Sequence, residues 1–185
     1  MIGPKAILLI VAASCALSIA EPASAQRWQP PPGAKIYREE QIVPAGDRTL
    51  RVVFYSHGWE ASATVVSSNG QALATVKTDL NIGIRAPTGV YHLKNDSSWQ
   101  IVLFGQVGAK AHEAKVYDFR DGKLVEVFDW SGWSFRIVRV DGNAMIAAQV
   151  YEHGSVADLY LWRDGRFQRV NEEFPSFYTA TAKRE

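Results

Sequence analysis

Short apolar runs, broken by glycine, asparagine and aspartate, set the pattern of this chain. From Lys35 onward no long window repeats its apolar positions at i, i+3 and i+4. β-Branched and aromatic residues recur instead in brief stretches bounded by turn formers. The pattern predicts strands at 35–43, 49–55, 61–67, 71–78, 99–105, 113–120, 123–130, 134–140, 144–152, 156–163 and 166–170. The links are short, whereas parallel strands need crossovers of about a dozen residues or more, usually helical. The expected fold class is therefore all-β, built from consecutive antiparallel pairs.

The turns supply a mechanism for that pairing. Asn69-Gly70, Asp121-Gly122, Asp141-Gly142 and Asp164-Gly165 each lie between apolar runs. A type I′ turn needs positive φ at both central residues, which glycine adopts freely and Asn or Asp tolerate. All four dipeptides are expected to be hairpin turns of this kind.

The hairpins also repeat. "VYDFRDGKLVEV" (116–127) and "LYLWRDGRFQRV" (159–170) superpose with Asp121 on Asp164, 43 residues apart. Tyr117 then falls on Tyr160, Phe119 on Trp162, Leu124 on Phe167 and Val127 on Val170. Across a two-residue turn Phe119 faces Leu124 and Trp162 faces Phe167, so each hairpin carries a large apolar pair on one face. Upstream, "WQIVLFG" (99–105) aligns with "FRIVRVDG" (135–142) through Ile101-Val102 and Ile137-Val138. A third copy ends in "SSNGQALATVKTDL" (67–80). Each copy is expected to be one four-stranded meander, the length of a propeller blade.

Tyr160, Trp162, Asp164, Gly165 and Phe167 resemble the Y-x-W-x-D-G-x-F hairpins of bacterial β-propeller repeats of the FG-GAP/VCBS kind. The likeness covers roughly residues 99–170. It implies antiparallel meander repeats in a partial β-propeller-like array, with a β-sandwich or barrel as the alternative. The chain departs from that family in two respects. "FRDGK" and "WRDGR" hold one Asp each, where the family's calcium loops are rich in alternating Asp. Three copies also fall short of the four to eight blades that close a propeller.

The ends are not part of the repeats. Lys5, the apolar run 6–20 and "ASA" (23–25) follow the order of a secretory signal peptide over residues 1–25. That run is shorter than the roughly 20 residues that span a bilayer, so no transmembrane segment is expected once the signal is removed. "AASC" (12–15) offers an alternative, a lipid anchor at Cys15, although Ala12 stands where a lipobox has Leu. "QRWQPPPGA" (26–34) reads as a Pro-rich linker, 35–178 as the β-repeat domain and 179–185 as a flexible tail. Cleavage after Ala25 leaves an exported chain with no cysteine. Small secreted eukaryotic domains more often carry paired cysteines, which favours a bacterial periplasm or envelope, or secretion.

Charge and chemistry narrow the function only by exclusion. Without residues 1–25 there remain 19 basic and 18 acidic residues, and no basic stripe points to nucleic acid. His57, His92, His112 and His153 are widely spread, so no metal site and no cofactor is expected. No serine stands in a nucleophile elbow. The carboxylates Glu172–Glu173 and Asp118–Asp121 define no catalytic pair. Asn95-Asp96-Ser97 matches a glycosylation acceptor, without consequence in a bacterial envelope. The one binding candidate is "FDWSGWSF" (128–135), where Trp130 and Trp133 flank a link between two copies and offer rings to a sugar or protein, or else to the core. Tyr55, His57 and Trp59 form a similar set.

The resulting expectation is an exported, non-catalytic β-repeat module that binds or scaffolds an envelope protein or a glycan. One alternative is a glycan-binding protein that uses exposed Trp130 and Trp133. The other is a small hydrolase whose site converges only in three dimensions.

Overall fold

The computed structural model describes residues 27–43, 48–79, 83–151 and 157–182. The expected signal sequence 1–25 and its Cys15 lie outside the described residues. Twelve strands are described, in three four-stranded antiparallel sheets. The first holds β1 (Lys35–Ile42), β2 (Leu50–His57), β3 (Glu60–Val66) and β4 (Ala72–Asp79). The second holds β5 (Gly89–Tyr91), β6 (Gln100–Val107), β7 (Ala111–Arg120) and β8 (Lys123–Gly132). The third holds β9 (Ser134–Val140), β10 (Asn143–Gln149), β11 (Asp158–Arg163) and β12 (Arg166–Arg169). In every sheet spatial order follows chain order, so each is a meander, and none closes into a barrel.

The turns at Asp121 and Asp164 both join the third and fourth strands of their sheets, as the 43-residue repeat requires. The upstream alignment does not hold. Residues 99–105 supply β6, the second strand of its sheet, whereas 134–140 form β9, the first strand of the next. The partner of β6 is β10. The first strand of the second sheet is β5, only three residues long, and the apolar pattern gave no sign of it. Pro87 cannot donate to a ladder there. Thr88 substitutes, its hydroxyl donating to Phe104 O and accepting from Phe104 N, both at 2.9 Å.

The sheets pack face to face, which explains why the second strands read as unbroken apolar runs rather than alternating ones. In β6, Ile101 and Leu103 meet Val52, Phe54, Ala63 and Val65 of the first sheet. Val102 and Phe104 on its other face meet Phe135, Ala144, Ile146 and Ala148 of the third. Both outer faces of the stack are covered by terminal segments. Trp28 packs on Val53 and Tyr55, its ring 5.8 Å from the tyrosine ring, and its N–H donates to Gly70 O at 2.7 Å. The proline-rich segment thus lies along the first sheet.

At the other end a 3₁₀ turn (Asn171–Glu173) and a helix α1 (Pro175–Ala182) cover Met145, Ala147, Leu159 and Leu161. Phe174, Phe177 and Tyr178 supply the contact at i, i+3 and i+4, and Pro175 opens the helix, where its missing N–H costs nothing. Helix α1 takes in residues 179–182 of the expected tail. Among the described residues no helix is long and apolar enough to cross a membrane.

β1 is the exposed edge of the first sheet. Its charges and the irregularity at Ile36/Arg38 are the usual protection of such an edge. Two of those charges also dock it on the second sheet. Arg38 donates to Thr88 O at 3.1 Å, and Glu40 accepts from Val90 N at 3.2 Å.

Candidate functional site

Because the three meanders lie side by side, their glycine turns gather at one end of the molecule. Asp121, Asp141 and Asp164 have φ of 50–52°, followed by Gly122, Gly142 and Gly165 at 72–82°, the two positive values of a type I′ turn. Asn69-Gly70 differs from the expectation. Only Gly70 is positive, and Ser67 and Gln71 close a longer turn with hydrogen bonds through the Ser67 hydroxyl. Gly70 also faces Arg27 of the terminal segment, 2.9 Å from where a Cβ would stand.

At this turn end the joint between the second and third sheets is shut by a polar clasp. The β5–β6 loop carries Lys94, whose ammonium lies 2.5 Å from Asp118 Oδ2 and 4.6 Å from the centre of the Trp162 ring. Arg120 Nη2 reaches the same Asp118 oxygen at 2.5 Å, and Gln100 Nε2 donates to Oδ1 at 3.1 Å. Gln100 Oε1 in turn accepts from Leu93 N at 2.7 Å. The Asp118 and Lys94 side chains are only 3 % and 10 % exposed. Burial pushes the Asp118 carboxyl up, but the Lys94 ammonium, the Gln100 amide and the Arg120 guanidinium together hold it below its ordinary value. Beside them Asn95, in a left-handed conformation, accepts from Ala144 N at 2.7 Å.

The joint between the first and second sheets stays open at the same end. A cleft of about 810 Å³ lies there, within the range of small-ligand sites. Leu50, Leu73, Trp99 and Phe119 give it apolar walls. Arg48, Arg120, Asp96, Asp121, Ser97 and Ser98 give it polar ones. Trp99 is held from behind: its Nε1 donates to Val43 O at 3.2 Å, and the His92 ring lies 3.8 Å from its own. His92 is fixed by its Nδ1 at 2.8 Å from Ser98 O. Asp96 Oδ1 accepts from the Ser98 backbone and hydroxyl, and its Oδ2 has no partner among the described residues. Arg48 and Asp121 likewise have no side-chain partner among the described residues.

Trp130 and Trp133 lie away from this cleft. Trp130 is 8 % exposed and packs on Phe135, ring centres 5.7 Å apart, inside the joint of the second and third sheets. Gly132 is required beside it, since a Cβ there would run into the Trp130 ring and lie 2.8 Å from Gln149 O. Trp133 is half-buried in the bend before β9, its N–H bonded to Gln149 O at 2.8 Å. Of the second aromatic set, Tyr55 is buried under Trp28, while His57 and Trp59 stand exposed at the end opposite the glycine turns. His112 stacks on Phe104, ring centres 5.2 Å apart, and His153 lies outside the described residues. Among the described residues no three His, Cys, Asp or Glu side chains are grouped to hold a metal ion. Glu173 pairs with Arg163 at 2.7 Å. Near β3, β4 and β7 a smaller hollow holds Glu60, Lys77, Asp79, Glu113 and Lys115, where burial pushes the Glu113 carboxyl up and Lys115 offsets it only in part.

Apolar periodicity does not single out Trp99, Asp96 or Arg48 as cleft residues. One signal was present: four consecutive turn formers, Asn95-Asp96-Ser97-Ser98, run straight into Trp99, a polar loop that ends on a ring. No protein-family model, no curated protein and no solved structure matches the chain.

Proposed function

We propose that the chain is an exported, non-catalytic binding module of the bacterial periplasm or envelope, and that its partner enters the open joint between the first and second sheets. The observation that carries this reading is the open cleft with a Trp99 ring already fixed in place from behind. A pre-set ring loses little freedom on binding, so contact area there converts to affinity efficiently. Rings of this kind, ringed by polar groups, are typical anchors of recognition sites. The order of the first 25 residues supports export.

Two measurements test the reading. Intact mass of the exported protein is expected to begin at Gln26; a lipidated Cys15 or an unprocessed Met1 would revise the location. A photo-crosslinker placed at Ser97 in living cells is expected to trap a discrete partner, and the same group at Ser131 is not. Equal labelling from both positions, or none from Ser97, contradicts the cleft as the binding surface.

A further inference from the structure

The side chains of the cleft specify the chemistry of what it takes. We infer that the open joint is a saccharide site for an uncharged, hydroxylated pyranose chain, with Trp99 and Phe119 as the stacking surface. This rests on the binding reading above and names its ligand class.

Three observations lead there. First, the polar lining is balanced. Arg48, Arg120, Asp96 and Asp121 all line it, and Arg120 is already engaged by the buried Asp118 at 2.5 Å. Among the described residues an anionic ligand therefore finds one uncommitted guanidinium against two carboxylates. Nucleic acid is disfavoured for the same reason: its bases would stack on the rings, but its phosphates need a positively charged groove.

Second, the free acceptors and donors suit hydroxyl groups. Asp121 and Asp96 Oδ2 have no partner among the described residues. A carboxylate accepts from hydroxyls with the strength of a charge-assisted bond. Arg48 and the Ser97 hydroxyl supply donors on the same rim. Vicinal hydroxyls of a pyranose offer both functions at adjacent carbons, which a mixed rim of acids, a guanidinium and serines can meet.

Third, the apolar lining holds two rings, Trp99 and Phe119, beside Leu50 and Leu73. The C–H face of a pyranose is apolar and planar enough to lie on an indole, and Trp99 is immobilised by Val43 O and His92. Phe119 occupies the repeat position that Trp162 occupies 43 residues on. In the closed joint that second ring is covered by the Lys94 ammonium at 4.6 Å. No described cation is recorded over Phe119, and its ring lines the cleft.

The test is a titration of the full exported chain, followed by tryptophan fluorescence and calorimetry. The probes are the uncharged chains chitohexaose, cellohexaose, mannohexaose and xylohexaose. At least one is expected to bind saturably. Ser97→Trp, an exposed substitution that fills the cleft mouth, should weaken that binding about tenfold or more. Trp99→Phe should weaken it severalfold, and Trp133→Phe should leave it unchanged. Circular dichroism melts confirm that the variants fold, and Ser97→Trp keeps the test alive where Trp99 substitutions disturb the core. Binding that survives Ser97→Trp, or that is lost in Trp133→Phe, places the saccharide elsewhere and overturns the inference while leaving a binding module. Silence with all four probes overturns it too. If the Ser97 crosslinker then traps a protein, the binding reading stands with a different ligand; if it traps nothing, both fall.

Discussion

The two joints of this molecule are made from corresponding strands and end in opposite ways. In each, β6 or its counterpart β10 lays alternate apolar residues against the preceding sheet. The joint of the second and third sheets is rich in rings: Phe104, Trp130 and Phe135 are buried, and Phe128 meets Tyr160 and Phe167 edge-on at 5.2–5.3 Å. Lys94, Asn95, Asp118 and Trp162 lock it at the turn end. The joint of the first and second sheets is mostly aliphatic in its core and opens at the turn end into the cleft. The difference is clearest in the loops that join the first two strands of each sheet. Where the second sheet sends Lys94 across to its neighbour, the first sheet brings Arg48 to the rim, with no partner there among the described residues. A repeat fold can thus close one joint and leave the next open without altering its strands.

Removing the carboxylate of the clasp should have the largest effect. Asp118→Ala leaves the nearly buried Lys94 ammonium without its counter-ion, a loss of about 3–5 kcal/mol in urea denaturation. Arg48→Ala, at an exposed position on the rim of the open cleft, should stay within about 0.5 kcal/mol. Equal costs would dissolve the contrast between the joints. The covering helix comes next. Phe174→Ala should cost about 3 kcal/mol, because it uncovers the outer face of the third sheet.

Acidification sharpens the comparison further. The folded carboxyl of Asp118 lies below its ordinary value. Its contribution is therefore complete above the unfolded value of about 3.9 and is lost as pH falls through the folded one. Between about pH 5 and 2 the wild type should lose stability more steeply than Asp118→Asn. Parallel pH profiles would show that the clasp does not act through that carboxylate.

Much of this arrangement was legible in the amino-acid order. The continuous apolar runs at 52–55 and 101–104 lie in central strands buried on both faces, and the Asp-Gly dipeptides form type I′ turns. What stayed hidden shares a physical cause. β5 is held by Thr88 and the charged edge of another sheet rather than by its own apolar pattern. Pro30, Pro31 and Pro32 suggest a spacer, but Trp28 beside them anchors the segment on Tyr55 through a contact distant in sequence. Trp130 and Trp99 look alike along the chain; only the packing of three sheets decides that one ring is enclosed and the other lines a cleft. Local periodicity reports which face is apolar and is silent on what covers it.

The turns are expected to matter less than the clasp or the covering helix. Gly122→Ala and Gly165→Ala each place a side chain at φ of 72–80° with open space around it. Each should cost about 1–2 kcal/mol, and by similar amounts, since the two turns are repeat equivalents. Unequal losses would show that one turn carries a contact the other lacks.

The most direct measurement is residue-by-residue amide hydrogen exchange at the turn end. Leu93 and Ala144 sit in or beside loops, yet their N–H groups donate to Gln100 Oε1 and Asn95 Oδ1 within the closed joint. They should exchange as slowly as the central amides of β6 and β10, while Thr49, Ser97 and Asp121 around the cleft exchange by fast local opening. If Leu93 and Ala144 exchange as fast as Ser97, the two joints are equally open and the contrast drawn between them is wrong.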